Sequence, residues 1–110
     1  MQITTALGPV TVISISGSID SATFFELIQE ADIILSGGHS KLVLDLGNVD
    51  FISSGGLVAL QTIAVRAVSH DGKAVLCCVG DQVMKILSTT GLEKKLDIYP
   101  DVSSAKASFD

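Results

Sequence analysis

Apolar residues along this chain recur with two spacings, and the change from one to the other marks its elements. Val10, Val12, Ile13 and Ile15 form a dense strand-like run, preceded by a weaker one at Ile3 to Leu7. Gly8-Pro9 lies between them as a tight connection, so the two runs read as antiparallel strands. "GSID" (Gly17 to Asp20) breaks the pattern. Phe24, Leu27, Ile28, Ala31, Ile34 and Leu35 then follow at helical spacing. Thr23 stands three residues before Glu26, the spacing of a capping box with Thr23 as the cap. "SGGHS" (Ser36 to Ser40) ends this helix.

"KLVLDL" (Lys41 to Leu46) is short, apolar and bounded by turn residues, as a central strand would be. "GNVD" reads as a loop, followed by "FIS". A second helix is predicted from near Ser54 to about Ser69, with Leu57, Leu60, Ala64, Ala67 and Val68 inward. "KAVLCCVG" (Lys73 to Gly80) is another buried strand. Asp81 is the expected cap of a third helix, with Val83, Ile86 and Leu87 inward. "LDIY" is a short strand, and "DVSSAKASF" a last helix with Asp101 or Ser103 near its start. The order β-β-α-β-α-β-α-β-α predicts an α/β domain whose sheet has parallel neighbours joined by right-handed crossovers.

Composition narrows the function. The 110 residues fit one domain, and an apolar fraction of 47% supplies a core made mostly of aliphatic side chains, since tryptophan is absent. A formal charge of −5 argues against a nucleic-acid or anionic membrane partner, both of which need basic patches. No apolar run spans a bilayer, and no secretory leader is visible, so a cytoplasmic location is expected. Cys77 and Cys78 are adjacent. In a strand their side chains point to opposite faces, so they read as reduced, buried residues and not as metal ligands.

The chemistry of an enzyme is missing. "GGHSK" (Gly37 to Lys41) has the letters of a P-loop in the wrong order and precedes a strand. "SSGG" is not the Gly-x-Ser-x-Gly of an α/β-hydrolase. His39 and His70 both fall in turn segments at helix ends, where a lone histidine is far more often a solvated residue than a catalytic base. No catalytic residue, cofactor or metal is assigned, and the chain reads as a non-enzyme.

"DFISSGGLVAL" (Asp50 to Leu60) holds the informative residues. Ser54, where strand gives way to helix, suits an N-cap. Two glycines in a first turn cost helix stability, on the order of 1 kcal/mol each relative to Ala. Gly55 and Gly56 therefore suggest that a partner must come close to exposed backbone N–H groups. A phosphate on Ser54 would sit at the positive end of the helix, and its added charge would repel an apolar or acidic partner.

"KLVLDLGNVDFISSGGLVAL" resembles the signature of anti-sigma factor antagonists, the STAS-domain proteins. "ISGSID" and "KAVLCCVGDQVMKILSTTGLEKKLDIYPD" extend the likeness over nearly the whole chain. The resemblance implies one STAS-like domain over residues 1–110, a mixed central sheet with helices packed mainly on one side. It implies a monomer that, when unphosphorylated, binds an anti-sigma factor, usually a serine kinase of the histidine-kinase-like ATPase type, and so frees a sigma factor or similar client. The kinase phosphorylates the motif serine and ends binding; a PP2C-type phosphatase restores it. Ser54 matches the acceptor, with Ser53 second; Ser53 occupies a position usually held by Asp, and Gly55 one often held by Ser, Thr or Ala. Asp20 and Asp45 match family acidic positions near the switch loop.

On a helical wheel Val58, Thr62, Val65 and Arg66 turn away from the core stripe, and Phe25 lies on the outer side of the first helix. With Asp20, Ser53, Ser54, Gly55 and Gly56 they make the expected partner-binding surface. The competing reading is a module that holds a nucleotide or other anion at the helix N-terminus near Ser54.

Overall fold

Right-handed crossovers that step one strand at a time in the same direction must place every connecting helix on one face of a sheet. The computed structural model, which describes residues 1–110, follows this rule. The elements are β1 (Gln2–Ala6), β2 (Thr11–Ile19), α1 (Phe24–Ser36), β3 (Lys41–Ile52), α2 (Ser54–Ser69), β4 (Lys73–Cys77), α3 (Asp81–Thr90), a 3₁₀ turn (Leu92–Lys94), β5 (Ile98–Tyr99) and α4 (Val102–Ala107). The sheet order is β1-β2-β3-β4-β5, with β1 antiparallel to β2 and the other pairs parallel. This is the predicted mixed sheet, with its elements in the predicted order along the chain.

The alternation of side chains in β3 divides the interior. Leu42, Leu44 and Leu46 point into the main core with Ile13, Ile15 and Ile19 of β2. Leu27, Ile28, Ala31, Ile34 and Leu35 of α1 meet them, as do Ala59, Leu60, Ile63 and Ala67 of α2. Val43 faces the other way and joins Val12, Val75, Cys77 and Ala105 beneath α4. Three helices therefore cover one face, and the short α4, capped by Asp101 accepting from Ser104 N–H at 2.7 Å, covers part of the other. α4 follows the last strand, so no crossover rule holds it to the first face.

Several local expectations change. "GSID" and "GNVD" are not loops: β2 continues to Ile19 and β3 runs unbroken from Lys41 to Ile52. Register shifts between Ser14 and Ser16 and between Gly17 and Ser18 each set extra β3 residues against β2. These bulges absorb the polar and glycine residues that looked like a turn. β3 pairs with β4 only from Lys41 to Asp45, so Leu46–Ile52 continues beside β2 alone. In α2 the inward stripe is Gly56, Ala59, Leu60, Ile63 and Ala67; Leu57 and Ala64 are partly buried and Val68 is exposed. α3 is capped by Gly80, not Asp81, which lies in its first turn. Ile86 is half-buried, while Val83 and Leu87 are fully inside.

Candidate functional site

The parallel ends of β2 and β3 open into two helices that start side by side, and the predicted site lies there. Ser53 N–H donates to Ile19 O at 2.9 Å, so the last residue before α2 is tied to the end of β2. Its extended backbone makes Ser53 the N-cap: its Oγ accepts from Gly56 N–H at 3.3 Å, and its carbonyl accepts from Leu57 N–H at 3.0 Å. The cap is therefore Ser53 and not Ser54. The capping role leaves Ser54 as the first helical residue, exposed, with its hydroxyl in no side-chain hydrogen bond.

The two glycines differ. A Cβ on Gly56 would stand 2.4 Å from Ile19 O and 2.7 Å from Ile52 Cγ2, so this buried glycine lets α2 press against the strand ends. It is a packing residue and clears no access. A Cβ on Gly55 would meet Ser21, Ser53 and Phe24 at 3.4 to 3.6 Å, ordinary contact distances.

Asp20 is brought next to this loop, where it closes the turn that leads into α1, whose N-cap is Thr23 as expected. Its Oδ1 accepts from Ala22 N–H at 2.9 Å and from Thr23 N–H at 3.1 Å. Thr23 Oγ1 returns the arrangement by accepting from Asp20 N–H at 3.0 Å. The box is therefore Asp20 with Thr23, one turn earlier than the expected Thr23 with Glu26, and the Thr23 side chain makes no cap bond to α1. The backbone bond from Ala22, with the Thr23 hydroxyl next, holds the Asp20 carboxyl below its ordinary range. Ser18 Oγ donates to Asp50 Oδ1 at 3.0 Å and links β2 to β3 nearby.

Asp45 does not join the site. It lies at the other end of the β3 overhang, beside Cys77 and Cys78, with its Oδ1 accepting from Gly47 N–H at 2.9 Å.

The outward residues of α2 follow the wheel. Val58 is 50% exposed and Val65 67%, with Thr62 half-buried between them. On α1 Phe25 is 59% exposed and sets its ring edge-on to Phe24, 6.5 Å between centroids. Arg66 is not free on this face, because its guanidinium pairs with Asp32 of α1. Sequence reasoning missed Asp32 as its partner, along with the exposed Ile33 and Phe51.

Helix starts also differ in charge. Asp20 and Glu26 serve α1, Asp81 lies in the first turn of α3, and Asp101 caps α4. Only α2 begins without a carboxylate. An α-helix N-terminus favours negative charge, so Ser54 occupies the one helix start where that charge is not built in.

A small α/β fold with a mixed sheet and a serine presented at the second helix start defines the class. The sequence model of the STAS domain family matches residues 2–105, and the chain belongs to that family. BtrV of Bordetella bronchiseptica, named as an anti-sigma factor antagonist, is 31% identical over 93 residues, spanning 84% of this chain and 78% of BtrV. An anti-sigma factor antagonist from Mycobacterium paratuberculosis superposes with a TM-score of 0.83 at 29% identity, covering 97% of this chain and 93% of that one. Unphosphorylated SpoIIAA shares the fold at 11% identity, with a TM-score of 0.72 and coverage of 97% and 94%. SpoIIAA, a Bacillus cell fate determinant, is also known in its phosphorylated form.

Proposed function

We propose that the chain is an anti-sigma factor antagonist whose binding is switched off by phosphorylation of Ser54. The observation that carries the proposal is the exposed, uncommitted hydroxyl of Ser54 at the first position of the only helix that begins without a carboxylate. Ser53 is the weaker acceptor because its Oγ is engaged in capping. The names of BtrV and of the Mycobacterium protein support the role, and the two states of SpoIIAA support the switch.

Unphosphorylated, the start of α2 with Val58, Thr62 and Val65, flanked by Phe25 of α1, forms the docking face for an anti-sigma factor. That partner is a serine kinase of the histidine-kinase-like ATPase type. Its ATP supplies the γ-phosphoryl group: the Ser54 oxygen bonds to the γ-phosphorus, the bond to the β-phosphate oxygen breaks, ADP leaves and the hydroxyl proton passes to solvent. The product carries about −1.5 to −2 charges at pH 7. The free N–H groups and dipole of α2 stabilise this charge, so the fold persists while the partner is repelled. A PP2C-type phosphatase reverses the step. The protein works as a cytoplasmic monomer, and no helix is long and apolar enough to cross a membrane.

None of the surface cavities is lined by residues 53–56. An open helix start of this kind supports docking of a protein surface over enclosure of a nucleotide.

Incubation with the cognate kinase, ATP and Mg²⁺, followed by mass-spectrometric mapping, tests the reading. One phosphate on Ser54, lost in Ser54→Ala, is expected. Modification undiminished in Ser54→Ala overturns it, and tight nucleotide binding by calorimetry without any kinase favours the ligand module.

A further inference from the structure

At the opposite end of the β3 overhang from Ser54, three ligand-type side chains meet. Cys77 is the last residue of β4, and Cys78 follows with φ of +62°, a left-handed conformation that side chains with a Cβ rarely adopt. In a continuing strand the two sulfurs would project to opposite faces. The left-handed turn instead folds the second sulfur back, so that Cys78 Sγ lies 3.3 Å from Cys77 Sγ. This corrects the expectation of opposed side chains. The turn is held from outside, because Cys78 N–H donates to Tyr99 O at 3.2 Å.

Asp45 completes the group: one carboxylate oxygen and both sulfurs lie within 4.8 Å of one another. Gly47 makes the approach possible. A Cβ there would stand 3.1 Å from Asp45 Oδ1 and 3.3 Å from Cys78 Cβ, and Gly47 N–H already orients the carboxylate. Cys77 is buried and Cys78 half-buried, so the cluster has an inner wall and a path to solvent.

We propose that Asp45, Cys77 and Cys78 bind one thiophilic divalent cation of the Zn²⁺ class. Two sulfurs 3.3 Å apart both reach one ion at the usual Zn–S length of about 2.3 Å, with an S–Zn–S angle of about 90°. Opening to the tetrahedral angle separates them by a further ~0.5 Å. The carboxylate supplies a third ligand and water the fourth, and a set of two thiolates with one carboxylate favours Zn²⁺ over the hard cations Mg²⁺ and Ca²⁺.

Asp45 places a carboxylate beside the two sulfurs. Burial pushes the Cys77 thiol up, and the hydrogen bond with Cys78 and the carboxylates Asp45 and Asp101 add to this. Burial likewise raises Cys78. On binding, each thiol transfers its proton to solvent, and two protons leave per ion bound.

The full chain, kept reduced with a phosphine, is titrated with Co²⁺ alone and then with Zn²⁺. One equivalent of Co²⁺ is expected to give a thiolate-to-cobalt absorption band, which one equivalent of Zn²⁺ removes. Cys78→Ser should weaken binding and reduce the band, whereas Asp45→Asn should weaken binding at least tenfold with the band retained. These two variants carry the test if Cys77→Ser fails to fold, with circular dichroism checking both. No band at stoichiometric Co²⁺, a band unchanged in Cys78→Ser, or an affinity unchanged in Asp45→Asn overturns the proposal.

Discussion

The starts of α1 and α2 lie side by side and are built on opposite plans. At α1 the chain closes on itself: Asp20 and Thr23 exchange hydrogen bonds, and the negative charge belongs to the fold. At α2 a single serine caps, the next serine is exposed, and no carboxylate serves the first turn. One helix start is finished by its own residues; the other has room for a charge that arrives later. Equal charge at both starts would leave nothing for a modification to change.

Breaking the packing at α2 should have the largest effect. Gly56→Ala is expected to cost about 2–3 kcal/mol or more, since its Cβ must displace the Ile19 carbonyl or force the helix outward. Gly55→Ala should be neutral or stabilising by up to about 1 kcal/mol, because its Cβ fits and the helix gains propensity. Urea denaturation of the pair checks both; equal losses would contradict the division between a packing glycine and a replaceable one.

Removing the cap comes next. Ser53→Ala is expected to lose about 1 kcal/mol by the same measurement, whereas Ser54→Ala should lose much less, since Ser54 caps nothing.

The comparison sharpens with pH. The Asp20 carboxyl is held below its ordinary value by the backbone bond from Ala22, and Asp101 by that from Ser104. Below the ordinary value of 3.8 the unfolded chain takes up protons first. Both groups therefore contribute fully above that pH, and their contribution is lost as pH falls through the lower folded values. Denaturation midpoints measured from pH 5 downward should fall less steeply in Asp20→Asn, while Ser53→Ala and Ser54→Ala should keep the parent slope.

The smallest effect on the fold is the most telling for function. Ser54→Asp should leave the circular dichroism spectrum unchanged and add about 0.3–1 kcal/mol of stability through the α2 dipole, while weakening capture of the anti-sigma partner in a pull-down. Global unfolding would show instead that Ser54 is a structural residue.

Much of this was legible in the sequence because period carries element type. The Leu27, Ile28, Ala31, Ile34, Leu35 stripe of α1 is buried as its spacing predicts, and α2 begins at Ser54. The misreadings have local causes. Gly47, Asn48 and Asp50 look like a turn, and only the bulged pairing with β2 keeps them in a strand. Ser53 and Ser54 are equally good caps by type; the Ser53 bond to Ile19, far away in sequence, decides between them. Arg66 looks free until α1 brings Asp32 beside it. A left-handed Cys78 has no sequence signal, since that conformation is expected of glycine.

The length of β3 has a kinetic consequence. Beyond Asp45 it runs past the end of β4 and keeps β2 as its strand partner. Fluctuations at the switch end can then open by separating two strands, while the five-stranded middle stays shut. Amide hydrogens of Ser53 and of the β3 overhang should therefore exchange with solvent sooner than those of Val43 and Val75. A partner seated on α2 would slow that exchange locally, leaving the centre of the sheet with its own clock.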